Sequence, residues 1–94
     1  MIRSFRDKKT RKFAAGEFVA TFDSFRRQAE KRIRILEAAT SLDDLRNLSS
    51  NRLEALKGDR SGQFSIRING QWRICFEWQP GAKGPDNVEI VDYQ

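Results

Sequence analysis

NRLEALKGDRSGQFSIRINGQWRICFEW, residues 51–78, is the stretch whose reading decides the fold. Phe64, Ile66 and Ile68 alternate with Ser65 and Arg67, and Trp72, Ile74, Phe76 and Trp78 alternate with Arg73, Cys75 and Glu77. Two period-2 runs about Asn69-Gly70 predict an antiparallel hairpin. A two-residue Asn-Gly turn pairs Ile68 with Gln71 and Ile66 with Arg73, which sets the two apolar rows on opposite faces. A three-residue loop, Ile68-Asn69-Gly70 with Gly70 left-handed, pairs Arg67 with Gln71 and Ile66 with Trp72. Phe64, Ile66, Trp72, Ile74 and Phe76 then share one face. Because a one-residue slip turns every side chain over, the loop that yields a single apolar face is the expected one.

Arg67 and Arg73 thereby project from the face opposite the core. Two readings of them stand side by side. Arginines on a solvated sheet face are ordinary solubilising residues. Alternatively they form an anion site, with Lys57 and Arg60 of Leu56-Lys57-Gly58-Asp59-Arg60 converging from just before the hairpin. Guanidinium forks grip phosphate bidentately and an ammonium adds a point charge. That chemistry points to an anion and names no substrate.

Working outward, the 94 residues make one domain, 1–94, with one modest core. Eighteen Lys+Arg against thirteen Asp+Glu give a net charge of +5, which favours a polyanionic partner: RNA, DNA or an acidic protein. The charge is uneven. Residues 1–40 hold eleven basic and five acidic residues, a net of +6, and residues 41–94 hold seven against eight, a net of −1. The single cysteine, Cys75, excludes an internal disulfide, and with no histidine a zinc site is not expected. The lack of histidine also removes the usual proton shuttle at neutral pH. With no secretory h-region or spanning apolar run, the expectation is a cytoplasmic protein without a membrane partner.

Met1–Phe5 suggests a short edge strand. Asp7–Ala15 has a helical pattern with Asp7 as N-cap and Gly16 as stop. Its cluster Arg6, Lys8, Lys9, Arg11 and Lys12 is either a solvated helix face or a patch for a phosphate backbone. Asp23–Ala39 predicts the firmest helix, its stripe of Phe25, Ala29, Ile33 and Leu36 turned inward and Glu30–Arg34 set as an i,i+4 pair. Ser41-Leu42-Asp43-Asp44 opens a further short helical turn in the manner of a capping box. Leu53–Leu56 is a short strand leading into a turn at Gly58-Asp59, Pro80–Asp86 is a loop, and Asn87–Gln94 is a last strand. The class is α+β, with N-terminal helices packed on a twisted antiparallel sheet of about four to five strands.

Residues 51–78 followed by Val88-Glu89-Ile90-Val91-Asp92-Tyr93-Gln94 resemble the HigB-type toxins, the plasmid-maintenance killer branch of the RelE/ParE superfamily. The likeness is most specific at Leu56-Lys57-Gly58-Asp59-Arg60, Gln71-Trp72-Arg73-Ile74 and Val91-Asp92-Tyr93. It extends to Met1-Ile2-Arg3-Ser4-Phe5 and to Ala38-Ala39-Thr40, so it covers essentially the whole chain. The resemblance implies a RelE-like, microbial-ribonuclease-type fold and the toxin of a type II toxin–antitoxin pair. Such a toxin is an endoribonuclease that cleaves mRNA in the decoding site of the 70S ribosome without metal or other cofactor, and so inhibits translation. Its implied partner is a HigA-like helix-turn-helix antitoxin, through which alone it reaches operator DNA. By position, Lys57 and Arg73 match the basic residues at the scissile phosphate, and Asp92 and Tyr93 match the C-terminal pair that helps complete the site. Arg6, Lys8, Lys9, Arg11, Lys12, Arg60 and Arg67 are the expected contacts to ribosome or RNA.

Two positions depart from the pattern. Glu54 stands where a related branch carries His, and Gln94 stands where the family commonly ends in His. Glutamine exchanges no proton near neutral pH. Asp92, Glu54 or Lys57 then takes the acid/base role, or the site is attenuated. RNA brings its own nucleophile, the 2′-hydroxyl, so the protein has to orient it, stabilise the phosphorane and move protons. Tyr93 either stacks a base and donates a hydrogen bond or packs on the sheet as an ordinary aromatic, while Trp72 and Trp78 read as core. The alternative functions are a non-catalytic inhibitor on the same fold, like the gyrase-directed ParE toxins, and a variant that only binds its antitoxin.

Overall fold

The computed structural model describes residues 1–93. Gln94, expected in the site, lies outside the described residues. The elements run α1 (Lys8–Ala14), a 3-10 turn (Ala20–Phe25), α2 (Arg26–Ala38), α3 (Leu42–Arg46), a 3-10 turn (Ser49–Asn51), β1 (Glu54–Ala55), a 3-10 turn (Gly58–Arg60), β2 (Gln63–Arg67), β3 (Trp72–Glu77) and β4 (Asp86–Asp92). The four strands pair antiparallel in the order β1-β2-β3-β4, an α+β arrangement with the helices on one face. No helix among the described residues is long and apolar enough to cross a membrane.

The parity of the hairpin is as expected and its register is not. Ile66 pairs with Ile74 and Arg67 with Arg73, two residues further along β3 than the Ile66–Trp72 pairing the sequence suggested. The loop is Asn69-Gly70-Gln71, closed by Ile68 and Asn69 amides that both donate to the Trp72 carbonyl. Gly70 is not among the residues with positive φ. The reversal is set by Asn69 instead: its Oδ1 accepts from the amides of Gln71 and Trp72, each at 2.8 Å, an Asx turn built by a side chain. A shift of two preserves the face of every side chain, so the single apolar face survives the change.

That face carries Ile66, Ile74, Phe76, Val88 and Ile90 into the core, where they meet Phe13, Phe22, Phe25, Ala29, Ile33, Leu36 and Leu45 from the helices. The stripe of α2 is thus buried as expected, but α2 starts at Arg26 rather than Asp23. Side chains at i and i+3 eclipse in a 3-10 helix, and the preceding turn uses this to send both Phe22 and Phe25 inward. Phe25 stacks on Trp72 with centroids 4.8 Å apart, and Phe22 meets Trp72 and Phe13 edge-on. Trp72 is therefore part of the core, and Trp78, also packed against it, donates through Nε1 to the Ala82 carbonyl. Glu30 pairs with Arg26 (3.9 Å) rather than Arg34.

The short α3 is capped as its sequence suggests. Ser41 Oγ accepts from the Asp44 amide, while the Thr40 amide and hydroxyl donate to the Asp44 carboxylate and hold its pKa below the ordinary value.

Residues 1–5 form no strand. They make a single parallel bridge, Phe5 to Val88, and the neighbouring groups occupy the outer edge of β4. Arg3 and Arg6 amides donate to the Pro85 and Val88 carbonyls, the Val88 amide donates to the Ser4 carbonyl, and the Ile90 amide donates to Thr10 Oγ1 of α1. Helix α1 closes at Gly16, whose φ of +92° suits a residue without Cβ. Asp7 stands at its N-cap, as expected, but makes no capping bond.

Candidate active site

On the sheet face away from the helices, Ser65, Arg73 and Cys75 are buried, although two of them are polar or charged. Arg60 crosses this face from the turn after β1 to Gln63 (3.0 Å) and to Glu89 on β4 (2.8 Å), the cross-strand partner of Cys75. Burial pushes the Cys75 thiol up, away from thiolate character.

Toward the hairpin end of this face lies a groove of about 320 Å3 lined by Arg52, Glu54, Arg67, Asn69, Gly70, Arg73 and Tyr93. Every strand contributes to it or to its flanks. Arg73 forms its floor and is only 8% exposed. Its Nε donates to Ser65 Oγ (2.7 Å), and its Nη2 donates to the Arg52 carbonyl (2.7 Å). Glu54 Oε1 stands 3.7 Å from Nη2, and the Tyr93 ring centre lies 5.7 Å from the guanidinium carbon. Nη1 makes no hydrogen bond among the described residues and keeps its two donors for a ligand. A cation held this way does not have to reorganise when an anion arrives.

The clamp on Arg73 has a local cause. Arg52 is left-handed (φ 47°, ψ 54°), a conformation that costs a non-glycine residue roughly 1–2 kcal/mol. The preceding residue holds it there. Asn51 is fully buried; its Nδ2 donates to the Leu45 carbonyl and its Oδ1 accepts from Arg32 of α2 at 2.7 Å. Burial lowers the pKa of Arg32 somewhat. Helix α2 is thus linked through Asn51 to the carbonyl that grips Arg73.

The structure brings together Arg67, Arg73 and Tyr93 of the expected site residues with Glu54, one of the three acid/base candidates, and adds Arg52 and the turn at Asn69-Gly70. Lys57 is exposed and does not line the groove. Asp92 pairs across the sheet with Trp72, and its carboxylate accepts from Gln71 Nε2 at 3.0 Å. Arg60 is committed to Glu89, which raises its pKa, and Arg6 stands 4.0 Å from the other oxygen of the same carboxylate. Lys8, Lys9, Arg11 and Lys12 are exposed on α1 and form no ion pair among the described residues. Larger hollows exist, about 630 Å3 at Asp23–Gln28 and about 570 Å3 between α3 and the β3–β4 loop, but neither has a buried cation at its floor.

Ser65 and Arg52 had no signal of their own in the sequence. A serine alternating with apolar residues is commonplace, and a left-handed arginine has no pattern. The β2–β3 register sets Ser65 diagonally beside Arg73, and the pairing of Glu54 with Ser65 brings the segment that carries Arg52 alongside.

The chain is 43% identical over 52 residues to Toxin HigB-1 of Vibrio cholerae serotype O1, a stretch that covers 55% of each protein. It is 33% identical over 63 residues to Endoribonuclease HigB of Proteus vulgaris, covering 67% of this chain and 62% of the relative. The chain thus spans between about half and two thirds of these relatives. The family model described as "RelE-like toxin of type II toxin-antitoxin system HigB" matches residues 3–93. With a match that runs from the N-terminal segment on the edge of β4 through the whole sheet to Tyr93, the chain belongs to the HigB-like family of RelE-like type II toxins.

Proposed function

We propose that this chain is the toxin of a type II toxin–antitoxin pair and an endoribonuclease that cuts mRNA on the translating ribosome. The observation that carries the reading is the buried Arg73 guanidinium at the floor of a groove flanked by Arg52 and Arg67. Three guanidiniums with one carboxylate suit a phosphodiester better than a neutral ligand. The 2′-hydroxyl next to the bound phosphate attacks in line, and Arg73 stabilises the charge that builds on the phosphorane oxygens. Arg67 and Arg52 hold the adjoining backbone, and Tyr93 stacks a base or donates through its hydroxyl. The relative named as an endoribonuclease supports this activity. The partners are the ribosome with its mRNA and a HigA-like antitoxin, with operator DNA reached through that antitoxin. Action on ribosomes implies a cytoplasmic protein.

Primer-extension mapping of mRNA on translating ribosomes, with purified protein and Arg73→Ala beside it, tests this. Cleavage in the decoding site that drops about 100- to 1,000-fold in the variant is the expected result. Intact mRNA with the unaltered chain, or equal cutting by the variant, overturns it. Inhibition of gyrase supercoiling by the same preparation would instead favour a ParE-like inhibitor.

A further inference from the structure

A buried guanidinium stabilises developing charge only while its free donors stay aimed at the ligand, and the Arg52 carbonyl on Nη2 is one of the acceptors that aim Arg73. Resting on the ribonuclease reading above, we infer that Asn51 and Arg32, neither of which lines the groove, are positioning residues that set the turnover of the site through that carbonyl.

The side-chain amide of Asn51 is committed at both ends. Its Nδ2 donates to the Leu45 carbonyl at 3.0 Å, near the end of α3, where a helix leaves carbonyls without partners of its own. Its Oδ1 accepts from Arg32 Nη1 at 2.7 Å. Arginine only donates and a carbonyl only accepts, so the amide cannot turn over without losing both bonds. Asn51 has no solvent exposure, and water cannot take the place of either partner. The backbone that enters Arg52 is thereby fixed, and Arg52 is held left-handed with its carbonyl on Arg73. A residue with a Cβ leaves that conformation when it is released, and the carbonyl turns away with it. Arg32 supplies the hold from the helical layer, on the other side of the sheet from the groove. Its side chain is half-buried on α2, and its second partner is Ser50 Oγ at 3.4 Å.

Arg32→Ala and Asn51→Ala test the role in the full chain. Single-turnover cleavage of mRNA on programmed ribosomes should slow about 10- to 100-fold in each, with no rise in the concentration needed for half-maximal cleavage. Arg52→Gly separates positioning from general bracing, because glycine takes the left-handed conformation without strain. In that background, adding Arg32→Ala should slow cleavage by less than about threefold, whereas a residue that merely braces the fold would slow both backgrounds equally. Side-chain NMR reads the position of Arg73 without any cleavage. Its Nε–H resonance, assigned by its loss in Arg73→Lys, should lose its slow exchange with solvent in Arg32→Ala. Should Asn51→Ala fail to fold, Arg32→Ala decides, since its side chain is partly in water and alanine suits a helix. Cleavage by Arg32→Ala within a few fold of the unaltered chain overturns the inference and leaves the ribonuclease reading standing. So does an equal loss in both backgrounds. If the unaltered chain cleaves nothing, the ribonuclease reading falls and the exchange decides alone: slow exchange retained in Arg32→Ala overturns the positioning as well, and its loss upholds it.

Discussion

Arg73 is a charge taken almost out of water, and such a charge persists only where its donors are met. Ser65 meets one of them from a position with no solvent exposure, so water cannot substitute for its hydroxyl. Ser65→Ala should therefore cost about 1–3 kcal/mol, the usual penalty for stranding a buried donor. The measurement is the urea midpoint at unchanged slope, and a midpoint equal to that of the unaltered chain would show that Nε finds another acceptor. What could be read in advance at this scale was direction, because strand parity alone puts Arg73 opposite the core. Its partners could not be read. Arg52 contributes a carbonyl, which every residue has, and it does so from a backbone conformation that sequence does not encode. Arg60 shows the converse. It reads as a free cation until β4 brings Glu89, twenty-nine residues on, to within 2.8 Å.

Among the elements, the hairpin and the N-terminal segment separate what pattern can settle from what it cannot. Period-2 alternation fixes the face, and burial of five apolar side chains enforces it. The register depends on which group closes the turn, and Asn69 Oδ1 with its two amides outweighs the glycine that looked decisive. The edge of β4 is a similar case. An exposed edge invites pairing with another strand, and residues 1–5 were expected to form a short strand at an edge of the sheet. Instead, backbone groups of that segment and a side chain of α1 occupy the edge, and Thr10 looks in sequence like one more polar residue in a basic helix. Thr10 is fully buried and accepts from the Ile90 amide at 3.0 Å. Thr10→Val keeps the shape and removes the acceptor, leaving the Ile90 amide orphaned. A loss of about 1–3 kcal/mol is expected, with faster hydrogen exchange at Ile90 than at Ile74 on the interior strand. Unchanged exchange at Ile90 would mean that α1 is not what protects this edge.

For the whole molecule, the question is which of the many cations meet RNA. The excess of six positive charges in residues 1–40 suggested the helical half, but the ion pairs divide that excess. Arg3 and Arg6 face Asp86 and Glu89 across the edge of β4, and Arg60 shares Glu89 from the other side. These pairs join the N-terminal segment, the turn after β1 and β4 into one body. On α1, Lys8, Lys9, Arg11 and Lys12 are exposed, and their excess charge is available to a phosphate backbone. The two groups should separate in a salt titration of ribosome binding, because every phosphate the protein ceases to neutralise lowers the slope of log affinity against log salt by roughly 0.7–0.9. Neutralising all four α1 residues to Gln should flatten the slope by up to about 3.6 and weaken binding most at low salt. Arg60→Ala should leave the slope close to that of the unaltered chain. Its effect belongs to stability, because Glu89 would lose the nearer of its two cations. If instead Arg60→Ala flattens the slope and the α1 variant does not, RNA runs over the back of the sheet beyond the groove, and the basic face of α1 is ordinary solvated surface.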